Sequence, residues 1–240
     1  MALLVRPKPR ISPFRRYGRI SSGLGRIGDG ISARWCTLGG IANHAHRSRF
    51  GLQFWIQKNW EATLEGRLET PLSPAESPRI TDAALLLKDV LRPGVLQDKQ
   101  GPSIATEFGL LLPEGSGETG VGASLAGIAS DRWDWGTIHL NVKAEVTPEQ
   151  HADLFFSTII EGPFKWKVRP VAEVFYEDNF GEAQTISGLA GAIWQVRDNL
   201  AFDAAFRRAF TDGRPVSEIR AGVTFGFNTG LLSRNAMRKP

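Results

Sequence analysis

The chain has 240 residues, of which 42% are hydrophobic and 22% are charged, so it is long enough for one sizeable folded domain and is not disordered by composition. The single cysteine, Cys36, excludes an internal disulfide framework and any cysteine-based metal cluster. The 26 glycines favour strands and tight turns, because each glycine costs a helix about 1 kcal/mol relative to alanine.

The charge is unevenly distributed, because the net value of +4 comes from the first part of the sequence. Residues 1–35 contain eight Lys or Arg and one acid, Asp29; removing them from the 29 basic and 25 acidic residues leaves 21 and 24. We interpret residues 1–30 as a basic, irregular N-terminal segment. Such a segment can bind nucleic acid or anionic lipid. A solvated tail is the simpler interpretation, and we expect no nucleic-acid partner.

The sequence contains no evident membrane helix or signal peptide. No stretch approaches the roughly 18–20 uninterrupted apolar residues of a membrane helix. Residues 1–5, followed by Arg6, lack the apolar core of about 7–15 residues that a secretory signal needs. If the protein is exported, a wrongly assigned start codon or a truncated leader would explain the missing signal.

From about residue 50 onward, apolar and polar residues alternate between turn residues. In the segment 136–146, Ile138 and Leu140 fall on one face and Lys143 and Glu145 on the other. Successive side chains of an extended chain point to opposite faces, so this alternation predicts a strand with one apolar and one polar face. The same pattern recurs at 60–69, 164–174, 200–210 and 218–227.

The pattern predicts twelve strands, an even number. Their predicted ranges are 31–38, 50–57, 60–69, 80–91, 103–112, 118–129, 135–146, 152–161, 164–177, 183–196, 199–210 and 216–227. Many have 10–14 residues, whereas strands of soluble proteins average about 5–6, and a tilted strand needs about 9–11 to cross a membrane. We therefore predict an all-β, antiparallel up-and-down transmembrane β-barrel at residues 31–227, with a C-terminal tail at 228–240.

The predicted connections differ in length. Short ones at 58–59, 162–163 and 197–198 alternate with mostly longer polar ones at 70–79, 113–117, 178–182 and 211–215. Outer-membrane barrels have short turns on the periplasmic side and longer loops outside. A twelve-stranded barrel would have both termini in the periplasm, with 92–102 as an unusually long turn on that side.

Aromatic residues cluster near the predicted strand ends. Aromatic girdles flank transmembrane barrels at the lipid–water boundary, whereas in a soluble protein the same rings would close the ends of a core. The candidate girdle residues are Trp60, Trp133, Trp135, Trp166, Trp194, Phe210 and Phe227.

In a porin-type barrel the polar face lines the interior and the apolar face meets lipid, the inverse of a soluble β protein. Alternation alone does not distinguish the two arrangements. A charged interior wall would filter solutes electrostatically, with no covalent step. The candidate lumen and selectivity residues are Arg67, Lys143, Glu145, Lys167, Arg169, Glu173, Arg207, Glu218 and Arg220.

Other chemistry has weaker support. His44 and His46 could share one face of a strand, but no further metal ligand is close in sequence, and a solvated loop is the better interpretation. His139 lies on a polar face, where a lumenal hydrogen bond is expected in place of general-base work. The glycine-rich stretch 115–122 lacks the ending of a phosphate-binding loop. We expect no cofactor, no metal and no catalytic residue.

Three parts of the chain between about 80 and 227 resemble a family of outer-membrane barrels that transport compounds of the phenol meta-degradation pathway. They are DAALLLK at 82–88, EFGLLLPEG at 107–115, and the closing pair VRDNL at 196–200 and IRAGVTFGF at 219–227. The resemblance implies passage of small hydrophobic or aromatic compounds across the outer membrane. It also implies membrane lipid, a small-molecule solute and the barrel-assembly machinery as partners.

The sequence therefore predicts an outer-membrane channel or transporter for small molecules, and not an enzyme. Two alternatives remain open at this point. One is an outer-membrane barrel enzyme, a lipid or ester hydrolase with His139 or His151 as its base. The other is a soluble β-barrel that binds an apolar ligand inside.

Overall fold

The computed structural model of the protein describes residues 31–40, 45–57, 59–71, 77–113 and 120–227. The predicted N-terminal segment 1–30, the residue His44 and the predicted tail 228–240 lie outside the described residues. Within those ranges the chain forms twelve strands and one short 3-10 helix, Val95–Gln97. No helix in this part of the chain is long and apolar enough to cross a membrane.

The strands follow one another along the sequence, joined by connections of 2 to 10 residues. They are β1 (Ile31–Gly40), β2 (Ala45–Gln57), β3 (Trp60–Pro71), β4 (Arg79–Arg92), β5 (Ser103–Leu111), β6 (Gly122–Trp133), β7 (Gly136–Val146), β8 (Ala152–Glu161), β9 (Val168–Asn179), β10 (Ala183–Arg197), β11 (Leu200–Thr211) and β12 (Arg214–Phe227).

The twelve strands close into one barrel. Each strand pairs antiparallel with its neighbours in sequence, and β1 closes the sheet by pairing with β2 on one side and β12 on the other. Ile31 is opposite both Phe54 and Phe227 in these registers. Closure leaves no sheet edge with unpaired backbone groups, which is what a strand surrounded by hydrocarbon requires. The predicted all-β, up-and-down barrel is confirmed.

Three of the predicted strands have boundaries that are wrong by several residues. β2 begins at 45 and not at 50, β6 runs from 122 to 133 and not from 118 to 129, and β9 begins at 168 and not at 164. The start of β9 is delayed because the backbone N–H of Trp166 donates to the carbonyl of Pro163 at 3.0 Å, which makes a turn there. β6 continues through polar residues because 131–133 pair with 136–138 of β7 in a tight hairpin.

The two ends of the barrel can be told apart. We call the end that carries residues 31 and 227 the terminus end, and the opposite end the loop end. The terminus end has the two-residue connections 58–59, 134–135 and 198–199, together with 93–102 and 162–167. The loop end has connections at 41–44, 72–78, 112–121, 147–151, 180–182 and 212–213. Gly162–Pro163, expected to be a two-residue turn, is part of a six-residue connection.

The polar face of the strands points into the barrel and the apolar face points out. In β7, Leu140 and Val142 are 52% and 42% exposed, whereas His139, Asn141 and Glu145 are 2%, 5% and 6% exposed. A soluble protein would bury the leucine and expose the glutamate. The exterior band of exposed apolar side chains therefore matches a hydrocarbon environment, and the soluble alternative does not fit the structure.

A bulge in β4 explains why its sequence alternates poorly. Arg67 of β3 is opposite Thr81 and Glu65 is opposite Ala84, so two residues of β4 face one of β3. Asp82, at the bulge, has a positive φ of 51°. The extra residue shifts the side-chain parity of the strand. As a result Ala84 and Leu86 face inwards, and apolar residues occur on both faces.

Candidate functional site: the charged barrel interior

The interior wall contains eight of the nine predicted selectivity residues. Seven of these eight are buried, and the side chain of Lys143 is 12% exposed. They come from β3, β7, β9, β11 and β12, so closure of the barrel brings together charges that are far apart in sequence. The eight residues are Arg67, Lys143, Glu145, Arg169, Glu173, Arg207, Glu218 and Arg220.

Lys167 does not belong to this wall. The prediction placed it in a strand beginning at 164, but it lies in the connection before β9 and is exposed. Its carbonyl accepts a hydrogen bond from the backbone N–H of Gln195 at 2.7 Å. The alternation of apolar and polar residues continues through the turn that begins at Pro163, so the prediction started this strand too early.

Two arginines share one carboxylate between β11 and β12. Glu218 accepts hydrogen bonds from Nη1 of Arg207 at 2.8 Å and from Nη2 of Arg220 at 2.9 Å. Nε of Arg207 also donates to Oγ of Ser187 on β10 at 2.8 Å. Charge-assisted bonds of this kind are roughly twice as strong as neutral ones. The cluster thus joins three neighbouring strands from inside the barrel.

A second group of ion pairs covers the wall from β3 to β7. Nζ of Lys143 lies 2.6 Å from Oε2 of Glu145, and Nη2 of Arg67 lies 2.6 Å from Oδ2 of Asp82 at the bulge. Lys88 lies between two carboxylates, with Nζ 3.6 Å from Glu61 and 3.9 Å from Glu107.

A cavity of about 650 Å³, including its part open to solvent, lies beside this second group. Charged residues, among them Glu65 and Lys143, form part of its lining. Leu86 and Leu111 also line it, so the cavity offers apolar surface next to ion pairs. A small solute that is partly polar and partly apolar would find partners for both of its parts.

His139 is part of a buried polar chain near the terminus end. Its Nδ1 lies 2.8 Å from Oγ of Ser130, and its Nε2 lies 4.0 Å from Oε2 of Glu161. The other oxygen of Glu161 lies 2.5 Å from Nε of Arg169. His139 therefore makes a lumenal hydrogen bond, as expected from its place on the polar face. His151, the other candidate base, lies 3.3 Å from Glu182 near the loop end.

Sequence reasoning missed several interior residues. Glu161 and Glu177 lie near the ends of β8 and β9. Counting every second residue along the strands predicted at 152–161 and 164–177 would have placed both on the polar face. Asp82 points inwards only because of the bulge. Phe155 and Phe175 were missed because apolar residues were assigned to the exterior. Both are 3% exposed inside the barrel.

The predicted girdle residues lie at the ends of the barrel. Trp133, Trp135, Trp166 and Trp194 are 45–57% exposed at the terminus end, where the half-buried Trp60 also lies. Trp133 and Trp135 stack at 5.6 Å between ring centroids. Phe210 is 47% exposed at the loop end. The side chain of Phe227 lies outside the described residues, as does that of His46.

Within the described ranges, no group of three or more His, Cys, Asp or Glu side chains is arranged to hold a metal ion. The interior can attract, repel and hydrogen-bond a solute, and many of its described charges lie in ion pairs. Together, the closed barrel, the charged interior and the apolar exterior define a porin-like outer-membrane β-barrel.

Comparison with solved structures agrees with this class. A KdgM porin superimposes with a TM-score of 0.57 at 15% identity, covering 82% of this chain and 99% of the porin. A KdgM porin in complex with disordered oligogalacturonate gives 0.56 at 14% identity, covering 82% and 99%. A NanC porin gives 0.59 at 8% identity, covering 81% and 98%. At these identities the likeness shows the fold.

No family model matches the sequence. No curated protein matches it either. The solved structures support the family resemblance of segments 82–88, 107–115, 196–200 and 219–227 only at the level of the barrel architecture.

Proposed function

We propose that the protein is a passive channel for small molecules in a bacterial outer membrane. The observation that carries this proposal is the inverted burial pattern, with charged side chains inside a closed barrel and apolar side chains outside. A polar interior offers a solute and its water a path, while the apolar exterior is stable in hydrocarbon. The porin fold of the similar structures supports the same function.

The solute we propose is small and partly apolar. The resemblance to phenol-pathway transporters favours aromatic or hydrophobic compounds, and the cavity places Leu86 and Leu111 beside charged groups. The KdgM porin was solved with oligogalacturonate, which is a polyanion. Among the described residues, eight acidic and five basic side chains are buried. In the part of the interior that the structure describes, this acidic excess disfavours a polyanion.

The proposed orientation places the terminus end in the periplasm. Short turns are typical of the periplasmic side of such barrels, and three of the four two-residue connections lie at this end. The exposed tryptophans there would lie at the lipid headgroups, because amphipathic rings favour that boundary. Membrane lipid and the barrel-assembly machinery are the partners this orientation implies.

The proposal is tested by reconstitution in planar bilayers. We expect discrete conductance steps and an ion preference that shifts toward cations in Arg169→Glu, because Arg169 is 3% exposed on the interior wall. Lys167→Glu is the matched control, since Lys167 is two residues away but outside the wall. It should shift the reversal potential in a salt gradient much less.

A folded and inserted protein without conductance would contradict the proposal. Equal shifts in the two variants would show that the current does not pass along the wall that carries Arg169.

A further inference from the structure

Two phenylalanine rings lie inside a barrel whose interior is otherwise mostly polar. Phe155 of β8 and Phe175 of β9 are each 3% exposed, and their ring centroids are 5.4 Å apart with 37° between the ring planes. Both occupy inward positions, between Asp153 and Ser157 on β8 and between Glu173 and Glu177 on β9. Packing of the exterior does not explain them, because neither ring faces outwards.

Each ring already contacts a cation of the protein. Nζ of Lys143 lies 5.9 Å from the ring centroid of Phe155, and Cζ of Arg207 lies 5.0 Å from that of Phe175. The face of an aromatic ring attracts cations at distances up to about 6 Å. The interior surface of β8 and β9 therefore has the chemistry that recognises a positively charged group.

A buried carboxylate stands next to the rings. Glu177 is directly opposite Phe155 in the register of β8 and β9 and is 5% exposed. No hydrogen bond or ion pair joins its carboxylate to another described residue. Lys143 and Arg207, the cations over the rings, are close enough to act on Glu177 electrostatically, but their ion pairs are with Glu145 and Glu218.

We propose that Phe155, Phe175 and Glu177 form a binding subsite for a small organic ammonium ion that carries an aromatic or apolar group. This inference rests on the proposed channel function and names the solute class that the interior would select. The ammonium would lie between the rings and Glu177, replacing the amino group of Lys143 over Phe155. Lys143 also lines the cavity of about 650 Å³, whose lining includes neither ring, so a solute in the cavity would reach Phe155 only when this flexible side chain moves aside.

Other ligand chemistries fit less well. An anion would meet Glu177 and the excess of buried carboxylates, and within the described residues no acidic group is arranged for a metal ion. A neutral aromatic compound would contact the rings but would form no ion pair with Glu177. The subsite thus discriminates by charge among solutes of one shape.

The experiment measures block of the single-channel current by three probes of similar shape: benzylammonium, benzyl alcohol and benzoate. The recordings are made at neutral and at mildly alkaline pH, where benzylammonium keeps its positive charge. We expect benzylammonium to block at the lowest concentration. Phe155→Leu and Glu177→Gln should each weaken its block by roughly 3- to 30-fold, the range that a desolvated cation–π contact or a charge-assisted bond supplies.

Adjacent residues on the opposite face provide matched controls. Phe156→Leu and Asp178→Asn make the same chemical changes on the lipid-facing side and should leave the block near the wild-type value. Resistance to SDS without heating shows that each variant is folded.

Equal block by all three probes, or stronger block by benzoate, would overturn the subsite. A barrel that conducts but is not blocked by benzylammonium would also overturn the subsite, and the channel function would still stand. If the barrel does not conduct, the channel proposal fails, and calorimetric titration of the folded protein with benzylammonium still tests the subsite.

Discussion

Glu218 is the residue on which the ion pairs of β11 and β12 depend. Its carboxylate accepts bonds from both Arg207 and Arg220, and it is 5% exposed. Glu218→Gln should lower the free energy of unfolding by about 1–3 kcal/mol, because two buried arginines lose their shared counter-charge. Urea unfolding in lipid vesicles, followed by tryptophan fluorescence, measures the change.

Ser217→Ala is the comparison for that variant. Ser217 is on the outer face of β12 and bonds to Arg208 in an exposed pair, so its loss should cost less than about 0.5 kcal/mol. A Glu218→Gln barrel as stable as wild type would show that solvent, and not the carboxylate, balances the two arginines.

Substitution of His139 distinguishes the channel function from the hydrolase alternative. It bonds to Ser130 and lies near Glu161, and all three residues are only 2–3% exposed, so a substrate does not reach them and we interpret the group as a structural link in the wall. His139→Ala should lower stability by about 1–3 kcal/mol by leaving buried polar groups unpaired. The purified barrel should show no phospholipid or ester hydrolysis; hydrolysis that disappears in His139→Ala would establish the enzyme instead.

At the scale of the strand, β7 shows most directly which face meets lipid. Leu140 is 52% exposed on the exterior, near the middle of the strand. Leu140→Arg should destabilise the barrel in lipid by about 2–4 kcal/mol, as expected for arginine facing the bilayer midplane. Leu140→Ala should cost less, because it removes apolar surface without placing a charge in hydrocarbon.

Unfolding titrations of the two Leu140 variants in the same vesicles measure the difference. If the arginine and alanine variants were equally stable, the exterior of β7 would be in contact with water, and the membrane interpretation of the barrel would be wrong.

For the whole molecule, the width of the path depends on how far side chains reach across the interior. Lys143 contacts Glu145, approaches the ring of Phe155 and lines the cavity. Lys143→Ala removes this long side chain from the wall and should increase single-channel conductance and the size of sugars that enter proteoliposomes. Lys165→Ala, in the exposed connection before β9, is the control and should leave both unchanged.

A lower conductance in Lys143→Ala would mean that the freed Glu145 and neighbouring groups rearrange to fill the space. Another part of the interior would then limit the single-channel current.

The alternation of apolar and polar side chains was enough to predict most of the strands and their two faces. Because alternation is a local property of two successive residues, it identified twelve strands, placed Leu140 and Glu145 on opposite faces, and grouped Arg207 with Glu218 and Arg220 on polar faces. It failed where local geometry departs from the ideal strand, at the β4 bulge beside Asp82 and at the turn before Lys167.

Tertiary structure alone decided which polar groups meet. Arg67 pairs with Asp82 only because a bulge turns that carboxylate inwards, and Phe155 reaches Phe175 and Glu177 only because β8 and β9 pair in one particular register. Alternation predicts that two faces differ, but closure of the barrel selects the face that lies inside. The charges can be buried there because partners on neighbouring strands balance them, and those partners are separated in sequence by whole strands.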